Sequence, residues 1–467
     1  MPTPKKASGK PAPRGRKSAP WTACREDRAT VGRDCRKDVP RQAQAEWKVA
    51  AATRDPISIL EESNKGRLKD LIPIRYGRMV KSPFTFLRGS AAVMAYDLAR
   101  TPTTGLKAQL CGDCHLSNFG LFATPERHLV FDLNDFDETH PGPWEWDLKR
   151  LATSFVVAAR ENRFADAQAR DFAVQVVRAY RNHIRECADM APMDVWYQRM
   201  EWQTVIEDTL DTKSRKVAEA MAAAARKRVI EHLFPKITKS EGGKFKLVDQ
   251  PPVLFHISQK DVGARVSYAL AQYRLTLPDE RRVLFDRYHM VDYAAKVVGI
   301  GSVGTRCWIM LMMSIDNDPL ILQVKEARQS VIEPYTQKSR YENQGERVVA
   351  GQRLMQSSSD IFLGWIRGKR GFDFYVRQLR DMKFSAPLER GTIEQFRRYA
   401  DLCGWTLARA HAKSGDAAAI SGYLGKSDRF DRALGRFAVA YADQTERDHA
   451  ALVKAIRSGR VEILAEQ

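Results

Sequence analysis

The sequence predicts an α+β fold in two lobes, the larger one predominantly helical, the smaller one built on antiparallel strands. Three observations carry this. Apolar residues recur at helical spacing, as in Leu148, Leu151, Phe155 and Val156 and again in Phe172, Val176, Tyr180 and Ile184. Residues 297–327 instead alternate glycine-rich, apolar and turn stretches, the pattern of strand, loop, strand, turn and strand. Ahead of both, running into the first helical stretch, lies a dense set of acidic and amide side chains in residues 110–150.

A chain of 467 residues is long enough for two or three domains and a sizeable core. Residues 1–42 are expected to be a disordered basic tail. The first twenty carry six basic residues, five prolines and no acid, which cannot bury enough surface to offset ordering entropy. They contain no apolar stretch of signal-peptide type. The net charge of +19 suits a solvated basic surface and phosphate-rich substrates. No nucleic-acid motif accompanies it, so contact with nucleic acid is expected only through the tail. Seven cysteines without regular spacing read as reduced thiols, and no run nears the roughly 18 apolar residues of a membrane span. A cytoplasmic protein with no membrane partner is expected.

Residues 43–71 read as helical, and Ser82-Pro83 starts another helix that reaches Thr101-Pro102. Arg75, Arg78 and Arg88 are open either to phosphate contact or to a surface role. Then comes LCGDCHLSNFGLFATPERHLVFDLNDFDETHPGPWEWDLKR. Phosphoryl transfer needs a carboxylate to accept a proton from the attacking hydroxyl, and oxygen ligands to hold Mg²⁺ on the phosphates. Asp113 and Asn118 stand five apart, like the Asp and Asn of the kinase loop H-R-D-x-x-x-x-N. Asp113 is the expected base, with His115 beside it as a second catalytic candidate. Asn118, Asp135 and Asp137 are the expected metal ligands. Two rival readings attach to Cys111-x-x-Cys114-His115, a haem-attachment signature and a thiol redox pair. The first needs export, which the N-terminus does not support.

Residues 213–234 read as an alanine-rich basic helix, Gly242-Gly243 and Pro251-Pro252 punctuate a loop, and helical character is then expected to continue to about residue 295. Val297-Val298-Gly299-Ile300-Gly301-Ser302-Val303-Gly304 fits G-x-G-x-x-G and leads into an apolar run, a turn, and Leu320-Ile321-Leu322-Gln323-Val324-Lys325. Glycines let a loop backbone approach phosphates, and Lys325 at the end of the last strand would pair with them. Gly299, Gly301, Ser302, Gly304 and Lys325 are therefore the expected nucleotide-binding residues. Residues 344–356 read as a helix whose Glu346 is the chosen partner of Lys325, with Glu333 and Glu342 as rivals. A strand over 372–379 and a hinge at Arg380-Asp381-Met382-Lys383 follow.

Gly112-Asp113-Cys114-His115-Leu116-Ser117-Asn118 resembles the loop H-G-D-x-H-x-x-N of aminoglycoside and choline kinases, with Cys111 where that loop has His. GDCHLSNFG, DFDETHPGPWEWDLKRLATS, VGIGSVGTRCW, LQVKEA, GQRLMQ and YVRQLRDMK together resemble a bacterial family, domain of unknown function 2252, from about residue 75 to about 448. The resemblance implies a protein-kinase-like two-lobed fold using ATP and Mg²⁺. Its lobe order is circularly permuted, because the glycine-rich loop and lysine follow the catalytic loop. The expected layout is a helical lobe over 43–290, a nucleotide-binding β domain over 291–385 and C-terminal helices over 386–467. The implied activity is phosphoryl transfer to an unidentified small-molecule hydroxyl. Nucleotidyl transfer to proteins and a nucleotide-binding pseudokinase are the alternatives.

Overall fold

The computed structural model describes residues 21–48, 54–208, 211–242, 244–257, 262–379, 382–385 and 391–464. The expected tail at 1–20 and Arg380-Asp381 of the expected hinge lie outside them. The described chain is mixed helix and sheet, 54% helical against 15% strand, so helices dominate as the sequence implied.

Five helices, Glu145–Glu161, Asp166–Asp189, Ile393–Ser414, Ala417–Leu424 and Arg429–Arg457, pack around one core that takes in Trp144, Phe155, Tyr180, Leu407 and Phe437. Against this helical body lie two short antiparallel pairs. β1 (Lys107–Leu110) pairs with β4 (His140–Pro143), and β2 (Phe119–Ala123) pairs with β3 (Leu129–Leu133). Their connections, residues 111–118 and 134–139, are the two acidic stretches of the sequence. Asn134 N–H donates to Asn118 O at 2.9 Å, so the pairing brings both loops to one end.

Next in the chain come the hairpin β5 (Thr238–Glu241) and β6 (Lys244–Leu247), then β7 (Leu254–Phe255), β8 (His289–Lys296), β9 (Cys307–Met313), β10 (Pro319–Ala327), β11 (Gly364–Arg367) and β12 (Asp373–Gln378). Six of them form an antiparallel sheet in the order β11-β12-β10-β9-β8-β7. Side chains alternate across a strand. Met310, Met312 and Leu322 face Val266 and Tyr273 of helix Val262–Thr276, whereas Ile309, Leu311 and Ile321 face Leu233, Ile237 and Leu247. Both faces are covered, which is why β9 reads as a continuous apolar run.

The structure corrects several expectations. Residues 25–38, assigned to the tail, form helix Arg25–Asp38, and it packs on helix Ala417–Leu424. A Cβ at Gly32 would stand 1.8 Å from Ala419 O, so only glycine admits this crossing. Arg36 Nε and Arg41 Nη1 reach the last carbonyls of that second helix, Tyr423 O at 2.8 Å and Leu424 O at 2.7 Å. Such pairing is invisible to a composition argument. Residues 41–45 and 69–71 are 3₁₀ turns flanking helix Pro56–Asn64, not one helix. The helix from Ser82-Pro83 breaks at Ser90 into Pro83–Gly89 and Ala91–Leu98. The basic helix over 213–234 is two helices, Thr212–Arg226 and Ile230–Ile237. Helical character stops at Phe285, because His289–Lys296 is strand β8. The sheet unit consequently begins near residue 230, since Leu233 and Ile237 belong to its core, and not at 291.

Candidate active site

Both acidic loops of the body and the glycine-rich loop of the sheet line one cavity of about 950 Å³. The first loop is carried by helix Glu145–Glu161. Cys111 N–H and Gly112 N–H donate to the Asp147 carboxylate at 2.8 and 3.1 Å, and Leu116 N–H donates to Ser154 Oγ at 3.0 Å. One turn along that helix, Arg150 grips Asp113 Oδ1 through Nε at 2.7 Å and through Nη2. Asp113 Oδ2 is left on the cavity side, where a Cβ at Gly301 would stand 4.0 Å from it. The glycine-rich loop thus folds back over the expected base.

His115 Nε2 lies 3.8 Å from Asp113 Oδ2. Burial pulls its imidazole down to about 3 despite the Asp113 charge, so the ring is neutral near pH 7. Its Nδ1 is buried with no hydrogen-bond partner among the described residues. A neutral imidazole can accept a proton or orient a neighbour, but it carries none to donate as a cation.

Asn118 was expected on the metal. Its side chain is instead buried and engaged three times, Nδ2 donating to Asp135 O at 3.0 Å and Asp113 O at 3.3 Å, Oδ1 accepting Asp135 N–H at 2.7 Å. It clamps one acidic loop to the other. Asp137, also expected on the metal, has three protein partners: Lys325 Nζ, Ser302 Oγ at 2.8 Å and Tyr375 OH at 2.8 Å. Burial alone would raise its carboxyl, but Lys325, Tyr375 and Ser302 outweigh this and hold it down at about 2. Asp135 alone of the three is open, with 46% of its side chain exposed. Its carboxyl is raised by desolvation at the cleft wall and by the Asp137 charge.

Lys325, on β10, lies 3.8 Å from Asp135 and closer to Asp137. Burial opposes its charge, yet the two carboxylates outweigh that and raise its pKa. The expectation that Glu346 partners Lys325 is corrected: both are described, and the ion pairs of Lys325 go to Asp135 and Asp137. Glu346 occupies the first turn of helix Gln344–Met355, its N–H donating to the capping Asn343 Oδ1. From the next position Arg347 reaches inward, Nη2 donating to Asp137 O and Arg328 O at 2.8 Å each. The helix contributes a backbone clamp in place of an acid.

The glycine-rich loop is fixed at both ends by the body. Arg78 donates to Gly299 O, Arg67 Nη1 to Val303 O at 2.6 Å and Leu68 N–H to Gly304 O at 2.8 Å. Gly299 and Gly304 hold φ of +66° and +87°, which L side chains rarely adopt. Arg75, open to a surface role in the sequence, is buried and donates to Asn64 Oδ1 and Gly89 O. Cys111 and Cys114 are buried beside Asp147, and burial raises both thiols, Cys114 to about 11. They stay protonated near pH 7, and Asp147 already serves the loop backbone.

Sequence reasoning missed Arg150, Tyr375 and Arg347. A signal for Arg150 existed: Asp147 and Arg150 stand one helical turn apart just after the loop they hold. None marked Tyr375 or Arg347, whose roles depend on contacts across the cleft.

Fold and site together define a two-unit cleft protein, in which an antiparallel sheet brings a glycine-rich loop and a buried lysine over an acidic loop pair on a helical body. The chain belongs to the family described as uncharacterized protein conserved in bacteria (DUF2252), whose sequence model matches residues 67–455. No curated protein and no solved structure matches it. Among the described residues, no helix is long and apolar enough to cross a membrane.

Proposed function

We propose that this chain is an ATP- and Mg²⁺-dependent phosphotransferase of kinase-like, permuted architecture, acting on a hydroxyl acceptor. The observation that carries the reading is the convergence of Lys325 and Asp135, 3.8 Å apart, under a glycine-rich loop that also covers Asp113. A strand–glycine loop–strand unit with its lysine on the third strand is the phosphate-holding layout of kinases. The cavity is of the size that takes a nucleotide-sized ligand.

The residues fit a magnesium ion. Mg²⁺ keeps several waters and takes one or two carboxylates plus substrate phosphates, and Asp135 offers an open carboxylate at the cleft wall. When bound there, the ion neutralises charge on the phosphates. Lys325 is held protonated for the same phosphate oxygens. Asp113, with Oδ1 fixed by Arg150, presents Oδ2 to the acceptor hydroxyl. It takes the hydroxyl proton as the acceptor oxygen bonds to the γ-phosphorus, and the bond to the bridging oxygen breaks to release ADP.

Labelled ATP tests this. Incubated with Mg²⁺ and pooled small hydroxyl compounds, the protein should pass the γ-label to an acceptor and leave the α-label on ADP. Transfer of the α-label would make it a nucleotidyl transferase. ATP binding with neither label moved would make it a nucleotide-binding module.

A further inference from the structure

We propose that Arg377, on strand β12, contacts the phosphates of the nucleotide in the cleft, gripping their oxygens from the open side of Asp135. This rests on the nucleotide reading above and adds a residue to it. Arg377 belongs to the stretch YVRQLRDMK, to which the sequence attached no chemistry. β12 runs antiparallel to β10, with Tyr375 opposite Lys325 and Arg377 opposite Gln323. Directly opposed residues and alternate residues of one strand share a face of the sheet, so these four side chains stand together. That face is turned to the acidic loop, since Tyr375 OH donates to Asp137 at 2.8 Å and Lys325 pairs with the same carboxylate. Of the four, Arg377 alone lines the cavity, and Lys325 is buried behind it.

The bonding of Arg377 leaves it able to take a ligand. Among the described residues its guanidinium makes no ion pair, because Asp135 and Asp137 are paired with Lys325. It donates to two neutral oxygens, from Nε to Gln323 Oε1 at 3.2 Å and from Nη1 to Asn134 O at 3.3 Å. Both lie at the long end of N–H···O bonds and are readily exchanged for a charged acceptor. Nη2 has no protein acceptor among the described residues. The side chain is partly buried, so an anion bound to it offsets the cost of holding a cation away from water without a counter-ion. Burial and the Asp137 charge raise the Asp135 carboxyl, while Lys325 and Arg377 both pull against them, so the two cations flank that carboxylate. A planar guanidinium offers paired donors to two oxygens of one phosphate, which an ammonium group does not. The open carboxylate and the open guanidinium thus stand side by side on one wall, the first suited to a metal and the second to the phosphates that the metal accompanies.

The test is a calorimetric titration of the full chain with ATP, ADP and adenosine in the presence of Mg²⁺, comparing the wild type with Arg377→Gln and Arg377→Lys. Arg377→Gln should weaken ATP and ADP about tenfold or more, the usual worth of hydrogen bonds from a charged donor, and leave adenosine affinity unchanged. Arg377→Lys keeps the charge and loses the paired donors, so it should fall between the two. Thermal melting close to the wild type will show that each variant is folded, and the lysine variant serves if glutamine is not tolerated. A residue that only held Gln323 and Asn134 in place would move all three ligands alike, and that result would overturn the proposal. Unchanged ATP affinity in Arg377→Gln would overturn it as well. Label transfer is read separately. A wild type that binds ATP through Arg377 but moves no label would sink the phosphotransferase reading and keep this contact, whereas one that binds neither ATP nor ADP would remove both.

Discussion

Lys325 Nζ and the Asp135 carboxylate lie 3.8 Å apart, although nearly two hundred positions separate them in the chain. One comes from the sheet and the other from a loop of the helical body. Their meeting joins the two units beside one cavity, with the Asp135 carboxylate on its wall and Lys325 buried behind it. A separation of more than about 15 Å would have left no way for one triphosphate and its metal to bridge them.

Asp113→Asn is expected to keep nucleotide binding and lose turnover by about 10²–10⁴-fold, the usual worth of a general base. Asparagine still offers an oxygen to Arg150, so the loop should stay in place. Initial rates with γ-labelled ATP, alongside a calorimetric nucleotide titration, check both halves. Turnover near the wild-type rate would remove Asp113 from the chemistry.

Asp135→Ala should abolish the Mg²⁺ dependence of nucleotide affinity, because the open carboxylate is lost while Asp137 stays bound to Lys325. Titrating nucleotide with and without Mg²⁺ measures this. Asp137→Asn should act differently, leaving Lys325 without its nearest anion and lowering thermal stability. Identical behaviour of the two variants would contradict separate roles for the two carboxylates.

The Asp137 carboxyl, held at about 2 against its ordinary 3.8, makes stability depend on acid. A carboxyl depressed in the folded state stabilises above its unfolded value, and that contribution is lost as pH falls through the folded one. That contribution should therefore be present above about pH 4 and fade as pH falls toward the folded-state value. Denaturant unfolding at several pH values should show this slope, and it should flatten in Asp137→Asn. An unchanged slope in that variant would mean other carboxylates set the acid sensitivity.

Gly304→Ala should cost about 1–2 kcal/mol, since φ of +87° is strained for any L residue. The new Cβ would also stand 3.1 Å from Arg67 Cβ, disturbing the turn that anchors the glycine-rich loop. A lower melting temperature and weaker nucleotide affinity are expected together. Alanine at Gly299, where φ is +66° but nothing lies within 4 Å of the added atom, should show the strain without the crowding.

The sequence by itself determined what depends on near neighbours. The glycine loop, strand, turn and strand of residues 299–327 were legible because turn chemistry and apolar runs are local signals, whereas β8 ahead of them was expected as helix. So was the clustering of Asp113, Asn118 and Asp135, since short spacing and one β-hairpin bring them to one end. The tertiary structure decided everything that required distant segments to meet. Lys325 takes Asp137 and not Glu346 because β10 crosses the acidic loop, while helix Gln344–Met355 turns Arg347 inward. Asn118 became a clamp because its amide fits between two backbones, a match no spacing encodes. Helix Arg25–Asp38 formed out of a charged stretch because Gly32 admits a close crossing with helix Ala417–Leu424, nearly four hundred residues away. Hydrogen bonding and close packing act over a few ångströms, so their partners are set by the path of the folded chain and not by distance along it.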